Sequence, residues 1–277
     1  MSSQRAAEAV PVLTYHALVE TAGELESLPP GTRLYVFTCD EFRRHLGHLA
    51  SEGFTAISLA DFVRWHQGDA ALPERPVLIT FDDGHRSNAT LAVPALRERG
   101  QRASFFITAG RVEAEDSVTC ADLRAMLSAG MEVGSHSLTH ACPSTLSPDA
   151  LRRELAESKR VLEEGLGAAV DFVSSPTGYD SRRFGPLARE VGYRAALQGV
   201  IGLNCRSTGL FALRRFVLKR SMDLDTFRRL VAPGSRAYLP LRMKQAARNA
   251  VRRVIGVRGY EALRRLLLGG RKTNSGY

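Results

Sequence analysis

PVLITFDDG, at residues 76–84, is an apolar run that ends in two adjacent carboxylates and a glycine. Its length and composition predict a buried strand, because buried strands are short and apolar on both faces. A second polar motif, SHSLTH at residues 135–140, follows the strand-like run at 131–134. Two strands that end in such side chains are typical of a site at the carboxyl edge of a parallel sheet or barrel.

Strand-like and helix-like segments alternate on both sides of this run. Further strands are predicted near residues 10–15, 54–57, 103–108, 131–135, 170–174, 193–197 and 213–218, and helices near 38–51, 59–66, 88–99, 119–129, 147–166, 186–191 and 224–231. Repeated β-then-α units favour parallel strands with right-handed crossovers. We expect an α/β fold, a TIM-like (β/α) barrel that is irregular or incomplete, with about seven or eight strands. A doubly wound open sheet is the alternative.

The composition is that of a globular protein. Of its 277 residues, 44% are hydrophobic and 24% are charged. The cysteines (Cys39, Cys120, Cys142 and Cys205) have no CxxC spacing, so we expect packing residues in a reducing compartment. Residues 1–10 lack the pattern of a signal peptide, and no stretch reaches the roughly 18 apolar residues of a membrane-spanning helix. We therefore expect a cytoplasmic protein, at most peripheral to the inner membrane face.

The positive charge is concentrated in the C-terminal tail. The net charge is +9, and residues 242–272 contain ten Lys or Arg against one acid, Glu261. This pattern divides the chain into a domain at 1–235 and a basic tail at 236–277. Apolar residues among the basic ones predict an amphipathic helix over 242–268, or two helices broken near Gly256 and Gly259.

A basic amphipathic tail has two readings. It either lies on an anionic membrane surface through residues 242–272 or packs against the barrel with its charged face in water. We expect no nucleic-acid partner, because the tail has few aromatic residues and no recognisable binding motif.

Side chains of the two polar motifs have the chemistry of metal ligands. His136 and His140 are four residues apart, and Asp83 offers a carboxylate. Two histidines and one carboxylate leave coordination positions open, as a catalytic site requires. On an extended chain Asp82 points the other way, so it is free to act as general base toward a metal-bound water. A non-haem iron oxygenase uses the same ligand types and is an alternative.

The motifs resemble those of a known family. TFDDG at 80–84, SHSLTH at 135–140 and SPTG at 175–178 resemble the polysaccharide deacetylases (the NodB-homology domain, carbohydrate esterase family four). The resemblance extends over about residues 10–231, and VLTYH at 12–16 is similar to the branch that includes poly-N-acetylglucosamine deacetylases. It implies a metal-dependent hydrolase that removes acetyl groups from N-acetylated sugars. Zinc is the first choice of metal, with cobalt, nickel or manganese as the others.

The resemblance also implies roles by position. Asp82 is the general base, and Asp83, His136 and His140 bind the metal. The backbone N–H of Thr177 helps to hold the tetrahedral oxyanion.

The chain departs from the family pattern at three places. Ser174 replaces an arginine that orients the base, and Thr177 replaces a tyrosine. The usual C-terminal Leu-x-His, source of the general acid, is absent, because all seven histidines lie at or before position 140. We predict that His16, at the end of the first strand, supplies the acid. We also predict that Arg215, or its neighbour Arg214, supplies the missing charge beside Asp82.

The other histidines have smaller expected roles. We expect His85 to line the cleft, and His45, His48 and His66 to lie on the surface of predicted helices.

The leading prediction is hydrolysis of the acetamide of N-acetylated sugars, with release of acetate, in a polysaccharide or a lipid-linked glycan precursor. The lack of a signal-peptide pattern favours a precursor, glycolipid or nucleotide-linked, at the inner membrane face. The alternatives are an O-acetyl carbohydrate esterase and a catalytically inactive carbohydrate-binding or membrane-associated scaffold. The changed third motif is the only support for an inactive protein.

Overall fold

A computed structural model describes residues 9–178 and 182–267 of the chain. The strands are β1 (Val12–Tyr15), β2 (Ala17–Val19), β3 (Val36–Thr38), β4 (Thr55–Ala56), β5 (Pro76–Phe81), β6 (Ser104–Ile107), β7 (Glu132–Ser135), β8 (Phe172–Ser174), β9 (Ala195–Leu197) and β10 (Phe216–Val217). The helices are α1 (Ala22–Ser27), α2 (Pro30–Arg33), α3 (Cys39–Ser51), α4 (Leu59–Gln67), α5 (Val93–Arg97), α6 (Cys120–Ser128), α7 (Pro148–Leu166), α8 (Phe184–Val191), α9 (Leu224–Val231) and α10 (Leu239–Leu267). A π-helical turn (Asn88–Ala92) leads into α5.

Eight of these strands form one parallel sheet. Its order is β10-β1-β5-β6-β7-β8-β9, with β4 beside the start of β5, and a small parallel pair, β2-β3, lies apart. Each strand from β5 to β9 adds to the same side of the one before it, so the order has no reversal of the kind that defines a doubly wound sheet. The predicted incomplete TIM-like barrel is confirmed, and the open sheet is excluded.

Residues 213–217 connect the two edges of the curled sheet. Leu213 forms a parallel bridge with Leu197 of β9, whereas Phe216 pairs with β1. Arg215 lies between these two pairings. The predicted strand at 213–218 is therefore correct only for β10, because the chain passes from one edge to the other within that segment.

Apolar side chains fill the amino-terminal part of the barrel and pack against α4. This cluster includes Val12, Leu78, Phe106, Phe172 and Leu197 from the strands and Leu59 and Phe62 from the helix. Phe106 leaves no room for a side chain on β7, since a Cβ at Gly134 would lie 2.6 Å from its ring. A larger cluster on the outer face packs the sheet against the surrounding helices.

Glu132 fixes the start of α4 at this amino-terminal end. Its Oε2 accepts the N–H of Leu59 and the hydroxyl of Ser104, both at 2.7 Å, and its Oε1 accepts the N–H of Ala60 at 3.0 Å. Burial raises the pKa of Glu132, and these hydrogen bonds only partly oppose the rise.

Helix starts are where the sequence predicts them. Capping boxes form at Thr38 and Thr119, and Pro148 is the first residue of α7. Residues 17–38 form β2, β3, α1 and α2, of which the sequence pattern gives no sign. Strands of three residues are too short to show a period of two.

The predicted surface position of His45 is wrong. His45 is buried, stacks on Phe227 with ring centroids 4.1 Å apart, and places Nδ1 3.0 Å from the hydroxyl of Tyr15. It lies on the apolar face of α3, although a histidine on a helix is expected to face solvent. His48 and His66 are half-buried, and His66 Nε2 lies 2.8 Å from the carbonyl oxygen of Thr208.

The basic tail forms α10, which packs against the barrel at its start. Tyr238 and Leu241 contact the main core, and Gln245 exchanges hydrogen bonds with residues 199–201. The predicted break is present at Gly256, whose φ is 72°, but not at Gly259. Leu268 lies outside the described residues, and the domain boundary at 235 stays a prediction. Within residues 9–178 and 182–267, no helix combines the length and apolar character needed to cross a bilayer.

Candidate active site

One layer of side chains lies at the carboxyl end of the barrel. His16, Asp82, His136 and Ser174 each follow an inward-facing strand position by two residues, so the period of two brings all four to the inner face. Those preceding positions are Thr14, Thr80, Gly134 and Phe172. The hydroxyls of Thr14 and Thr80 lie 2.9 Å apart one layer below.

Asp82 is buried between two hydrogen-bond donors. Arg215 Nη1 donates to its Oδ2 at 2.5 Å, and the hydroxyl of Ser174 donates to its Oδ1 at 3.1 Å. The guanidinium also donates to the carbonyl oxygens of Ser175, at 2.7 Å, and Gln198, at 3.1 Å. Burial alone would raise the pKa of Asp82, but the charge of Arg215, together with smaller contributions from His136 and His16, outweighs it and holds the pKa below its usual value. Asp82 is therefore an anion at neutral pH.

The structure distinguishes the two candidate arginines. Arg214 contacts the neighbouring loop, with its N–H donating to Asn204 Oδ1 at 2.8 Å and its side chain directed to the carbonyl oxygen of Leu203 at 3.5 Å. Arg215 is 2% exposed and reaches Asp82 directly. The positive charge predicted beside the base is thus present and comes from Arg215, while its role in turnover stays a prediction.

Asp83, His136 and His140 converge on one point. Asp83 Oδ1 lies 3.3 Å from the Nε2 atoms of both histidines. His136 Nδ1 lies 3.0 Å from the carbonyl oxygen of Ser174 and must donate its proton there, since a carbonyl only accepts. Burial, opposed by Asp82 and Asp83, lowers the pKa of His136 to about 4. At neutral pH its Nε2 therefore carries a lone pair.

This arrangement fits a divalent cation. A lone pair on His136 Nε2 and a carboxylate oxygen are both acceptors, and a cation between them satisfies both. The ligand atoms of Asp83, His136 and His140 lie within 4.8 Å of one another. Burial favours a neutral His140, but the contact with Asp83 and the charges of Asp83 and Asp82 together outweigh burial and raise the pKa of His140. The same contact lowers the pKa of Asp83 against its own burial.

Asp82 and Asp83 differ in the residues that they contact, not in the opposite directions that an extended chain would give them. Asp83 has a φ of 75°, in the left-handed region, so the expected alternation of the two side chains does not apply. Both carboxylates approach His136 Nε2, at 3.7 Å for Asp82 and 3.3 Å for Asp83. Asp82 is occupied by Arg215 and Ser174, which leaves Asp83 as the carboxylate of the candidate metal cluster.

Glu154 of α7 holds the loop between the two histidines. Its Oε2 accepts the N–H groups of Leu138, at 3.0 Å, and Thr139, at 2.9 Å, and its Oε1 accepts the hydroxyl of Thr139 at 2.7 Å. The loop contains left-handed backbone at Ser137 and His140, with φ of 64° and 61°. The carboxylate therefore stabilises a strained segment.

His16 lies beside the two carboxylates. It is half-buried, its ring centroid is 5.1 Å from that of Tyr35, and its carbonyl oxygen accepts from Asn88 Nδ2 at 2.8 Å. It is close enough to contribute to the lowered pKa values of both Asp82 and Asp83. The role of proton donor predicted for His16 stays a prediction.

Thr177 and His85 also lie at this end of the barrel. Thr177 follows β8 in a turn with a φ of 63°, and its side chain is exposed. His85 follows the first motif, is half-buried, and places Nδ1 2.8 Å from the hydroxyl of Ser87. The roles predicted for these two residues stay predictions.

Sequence reasoning missed three contacts of the site. Ser174 bonds directly to Asp82, Asn88 holds the backbone of His16, and Glu154 holds the metal loop. Glu154 belongs to a segment, RELAES at 153–158, that resembles the family, but nothing in its spacing shows which loop it reaches.

Comparison with known proteins points to one family. The polysaccharide deacetylase family model covers residues 69–196, which include Asp82, the metal cluster and Thr177 but neither His16 nor Arg215. YxkH of Bacillus subtilis, assigned to the polysaccharide deacetylases, is 25% identical over 218 residues, 79% of this chain and 74% of YxkH. The peptidoglycan-N-acetylglucosamine deacetylase of Bacillus cereus is 29% identical over 125 residues, 45% of this chain and 56% of that protein.

A solved structure has the same fold. The Streptococcus pyogenes deacetylase PplD, determined in complex with acetate, superposes with a TM-score of 0.73 over 81% of this chain and 99% of PplD, at 22% identity. Residues 69–196 of the chain therefore match the polysaccharide deacetylase family, and the similarity indicates a hydrolase that acts on acetylated carbohydrate.

Proposed function

We propose that this protein is a metal-dependent deacetylase that hydrolyses the acetamide of N-acetylated sugars and releases acetate. One observation carries the proposal. Beside a cluster of two histidines and a carboxylate lies a second carboxylate, Asp82, which is held as an anion by Arg215 and is 2% exposed. A facial-triad oxygenase has no use for such a base, whereas amide hydrolysis requires one.

The residues divide the work of hydrolysis among them. Asp82 takes a proton from the attacking water, whose oxygen forms a bond to the acetyl carbon. The N–H of Thr177 stabilises the negative charge on the carbonyl oxygen. His16 gives a proton to the sugar nitrogen as the carbon–nitrogen bond breaks, and acetate and the free amine leave. Arg215 keeps Asp82 ionised and correctly oriented through the guanidinium contacts to Ser175 and Gln198.

Asp83, His136 and His140 would hold a divalent cation, with zinc as our first choice and cobalt, nickel or manganese as the others. Such an ion polarises the carbonyl and lowers the pKa of water. The neighbouring groups already favour it, because His136 is oriented by the carbonyl oxygen of Ser174 and the loop of His140 by Glu154.

The substrate that we favour is a lipid-linked or nucleotide-linked N-acetylated glycan precursor at the inner face of the membrane, approached from the cytoplasm. The Bacillus cereus relative, named for the N-acetylglucosamine of peptidoglycan, supports an N-acetylhexosamine. Cell fractionation tests the location: recovery of the native protein outside the cell would overturn it.

Acetate release tests the activity. The metal-loaded protein is offered N-acetylhexosamine oligomers, lipid-linked N-acetyl sugars and O-acetylated xylan, beside Asp82→Asn and Glu132→Gln. Glu132 is the matched control, a carboxylate at the other end of the same barrel. Release by the wild type and Glu132→Gln but not by Asp82→Asn supports the proposal. Release from xylan alone would show an O-acetyl esterase, and no release with metal bound would favour a binding role.

A further inference from the structure

α10 exposes large apolar side chains in a stripe. Leu239, Met243, Val251 and Ile255 are 37%, 73%, 42% and 42% exposed, and among the described residues no other large hydrophobic side chain is exposed to this degree. Each step of four residues turns about 40° around an α-helix, so Leu239, Met243, the exposed Ala247 and Val251 lie within about 120° on one side, and Ile255 lies about 40° further round. We call this set the Met243 stripe. An apolar strip of this kind marks an interaction surface.

The opposite side of α10 is already occupied. The N–H of Ile201 donates to Gln245 Oε1 at 2.8 Å, and Gln245 Nε2 donates to the carbonyl oxygen of Gly199. Gln245 lies about 200° around the helix from Met243. The barrel therefore holds α10 by the side that carries Leu241 and Gln245, and Met243 is turned away from the core.

The contacts of Gln245 place the helix near the active site. Residues 199–201 follow β9 at its carboxyl end, next to Gln198, whose carbonyl oxygen accepts from Arg215. The helix is therefore attached to the rim of the barrel that carries the site. A surface that binds the Met243 stripe would lie on the same side of the molecule as that rim.

Positive charge borders the stripe. Arg242 and Lys244, exposed, are the chain neighbours of Met243 and lie on either side of it, and Arg248 is exposed one turn further on. Residues 239–255 contain five basic residues and no acid. Apolar side chains flanked by Arg and Lys complement an anionic bilayer, where the apolar groups enter the acyl boundary and the cations meet the phosphates.

We infer that residues 239–255 lie flat on an anionic membrane surface, with the Met243 stripe directed into the bilayer. This brings the carboxyl end of the barrel to the surface, where an acetylated sugar carried on a lipid is in reach. The assignment of that substrate rests on the proposed function; binding to the membrane does not.

Flotation with lipid vesicles tests the inference on the full chain. Phosphatidylglycerol-rich vesicles are compared with phosphatidylcholine vesicles for the wild type and the double variant Met243→Glu, Val251→Glu. A control pair, Ala125→Glu with Ser128→Glu on α6, makes the same change in net charge at exposed positions away from the tail. Thermal unfolding and acetate release from a soluble substrate show that each variant is folded.

The expected result is binding to anionic vesicles that weakens with salt, falls at least about tenfold in the stripe variant and is retained by the control pair. Equal loss in both pairs would mean that net charge alone drives binding and would overturn the role of the stripe. Absence of wild-type binding would also overturn the inference, as would a dimer that dissociates in the stripe variant, because the stripe would then contact a second copy. Active protein that fails to bind vesicles refutes this inference alone; bound but inactive protein refutes the proposed function alone.

Discussion

Glu132 and Asp82 face the interior of the same barrel from opposite ends, and burial acts on both. At the amino end, Glu132 accepts from neutral donors only, the N–H groups of Leu59 and Ala60 and the hydroxyl of Ser104, and its pKa is raised. At the carboxyl end, Asp82 meets the guanidinium of Arg215, and its pKa is lowered. Burial with neutral donors thus raises the pKa of a carboxylate, whereas burial beside the guanidinium of Arg215 and two histidines leaves a carboxylate that is ionised at neutral pH.

A second comparison concerns pairs of backbone N–H groups. Glu132 accepts those of Leu59 and Ala60, and Glu154 accepts those of Leu138 and Thr139. The contacts are alike, but one holds a helix start and the other holds the loop that carries a metal ligand. A carboxylate that accepts two adjacent N–H groups therefore stabilises a helix at one end of the barrel and positions the candidate site at the other.

The largest effect is expected at the base itself. Asp82→Asn keeps the shape but accepts no proton, so we expect kcat/KM for acetate release to fall by about a thousandfold. Metal binding, measured by calorimetry, should remain, because Asp83 and the two histidines are intact. Glu132→Gln should keep wild-type turnover. If both variants lost activity equally, the two ends of the barrel would not differ in the way proposed.

Removal of Arg215 should raise the pKa of Asp82, as burial raises that of Glu132. In Arg215→Met the carboxylate stays buried without its cation, so its pKa rises, and the acid limb of the kcat/KM profile moves to higher pH. We expect about a hundredfold lower activity at neutral pH and a loss of unfolding free energy of about 3 kcal/mol. Arg215→Lys retains the charge and should recover part of the activity. An unchanged pH profile in Arg215→Met would contradict the pairing.

A variant of Glu154 tests how a carboxylate that positions the loop differs from one that binds the metal. Glu154→Gln replaces one acceptor with an NH₂ group that faces backbone N–H donors, so the loop of His140 loosens. We expect metal affinity about tenfold weaker by calorimetry, with turnover of the metal-saturated protein close to normal. Glu157→Gln, at an exposed position of the same helix, is the control. Equal metal affinities in the two variants would rule out a role for Glu154 in holding the loop of His140.

The smallest effect is expected at Glu132 and concerns stability only. Glu132→Gln should cost about 1–2 kcal/mol, because one acceptor of α4 is lost. The pKa of Glu132 is raised in the folded state, so its contribution is present at low pH and is lost as the pH rises through that folded value. Asp82 has the opposite sign: its contribution is present at neutral pH and is lost as the pH falls below about 4. Urea denaturation measured from acid to neutral pH should therefore show two opposite changes. Glu132→Gln should remove a loss of unfolding free energy with rising pH, and Asp82→Asn should remove a gain.

The sequence predicted the parts of this molecule that depend on local pattern. The apolar run before Asp82 predicts the central strand at Pro76–Phe81, where the structure has it, and the cap at Thr38 predicts the start of α3. The metal cluster followed from residue types at strand ends. The sequence does not predict the features that depend on contacts between residues far apart in the chain. These contacts join Glu154 to Leu138, His45 to Phe227 and Ser174 to Asp82. Pattern also could not choose between Arg214 and Arg215, since the choice depends on how the chain passes between the two edges of the sheet.

That passage has a consequence for the order in which the enzyme becomes competent. Arg215 lies in the segment that joins β9 to β1, and His16 directly follows β1. During synthesis, the ribosome releases Asp82, Asp83 and both ligand histidines well before it releases Arg215. Until that segment emerges, Asp82 has no cation beside it and the first strand has only one of its two neighbours. The two polar motifs therefore emerge early in synthesis, whereas the cation that holds Asp82 as an anion joins them only when the barrel is nearly complete.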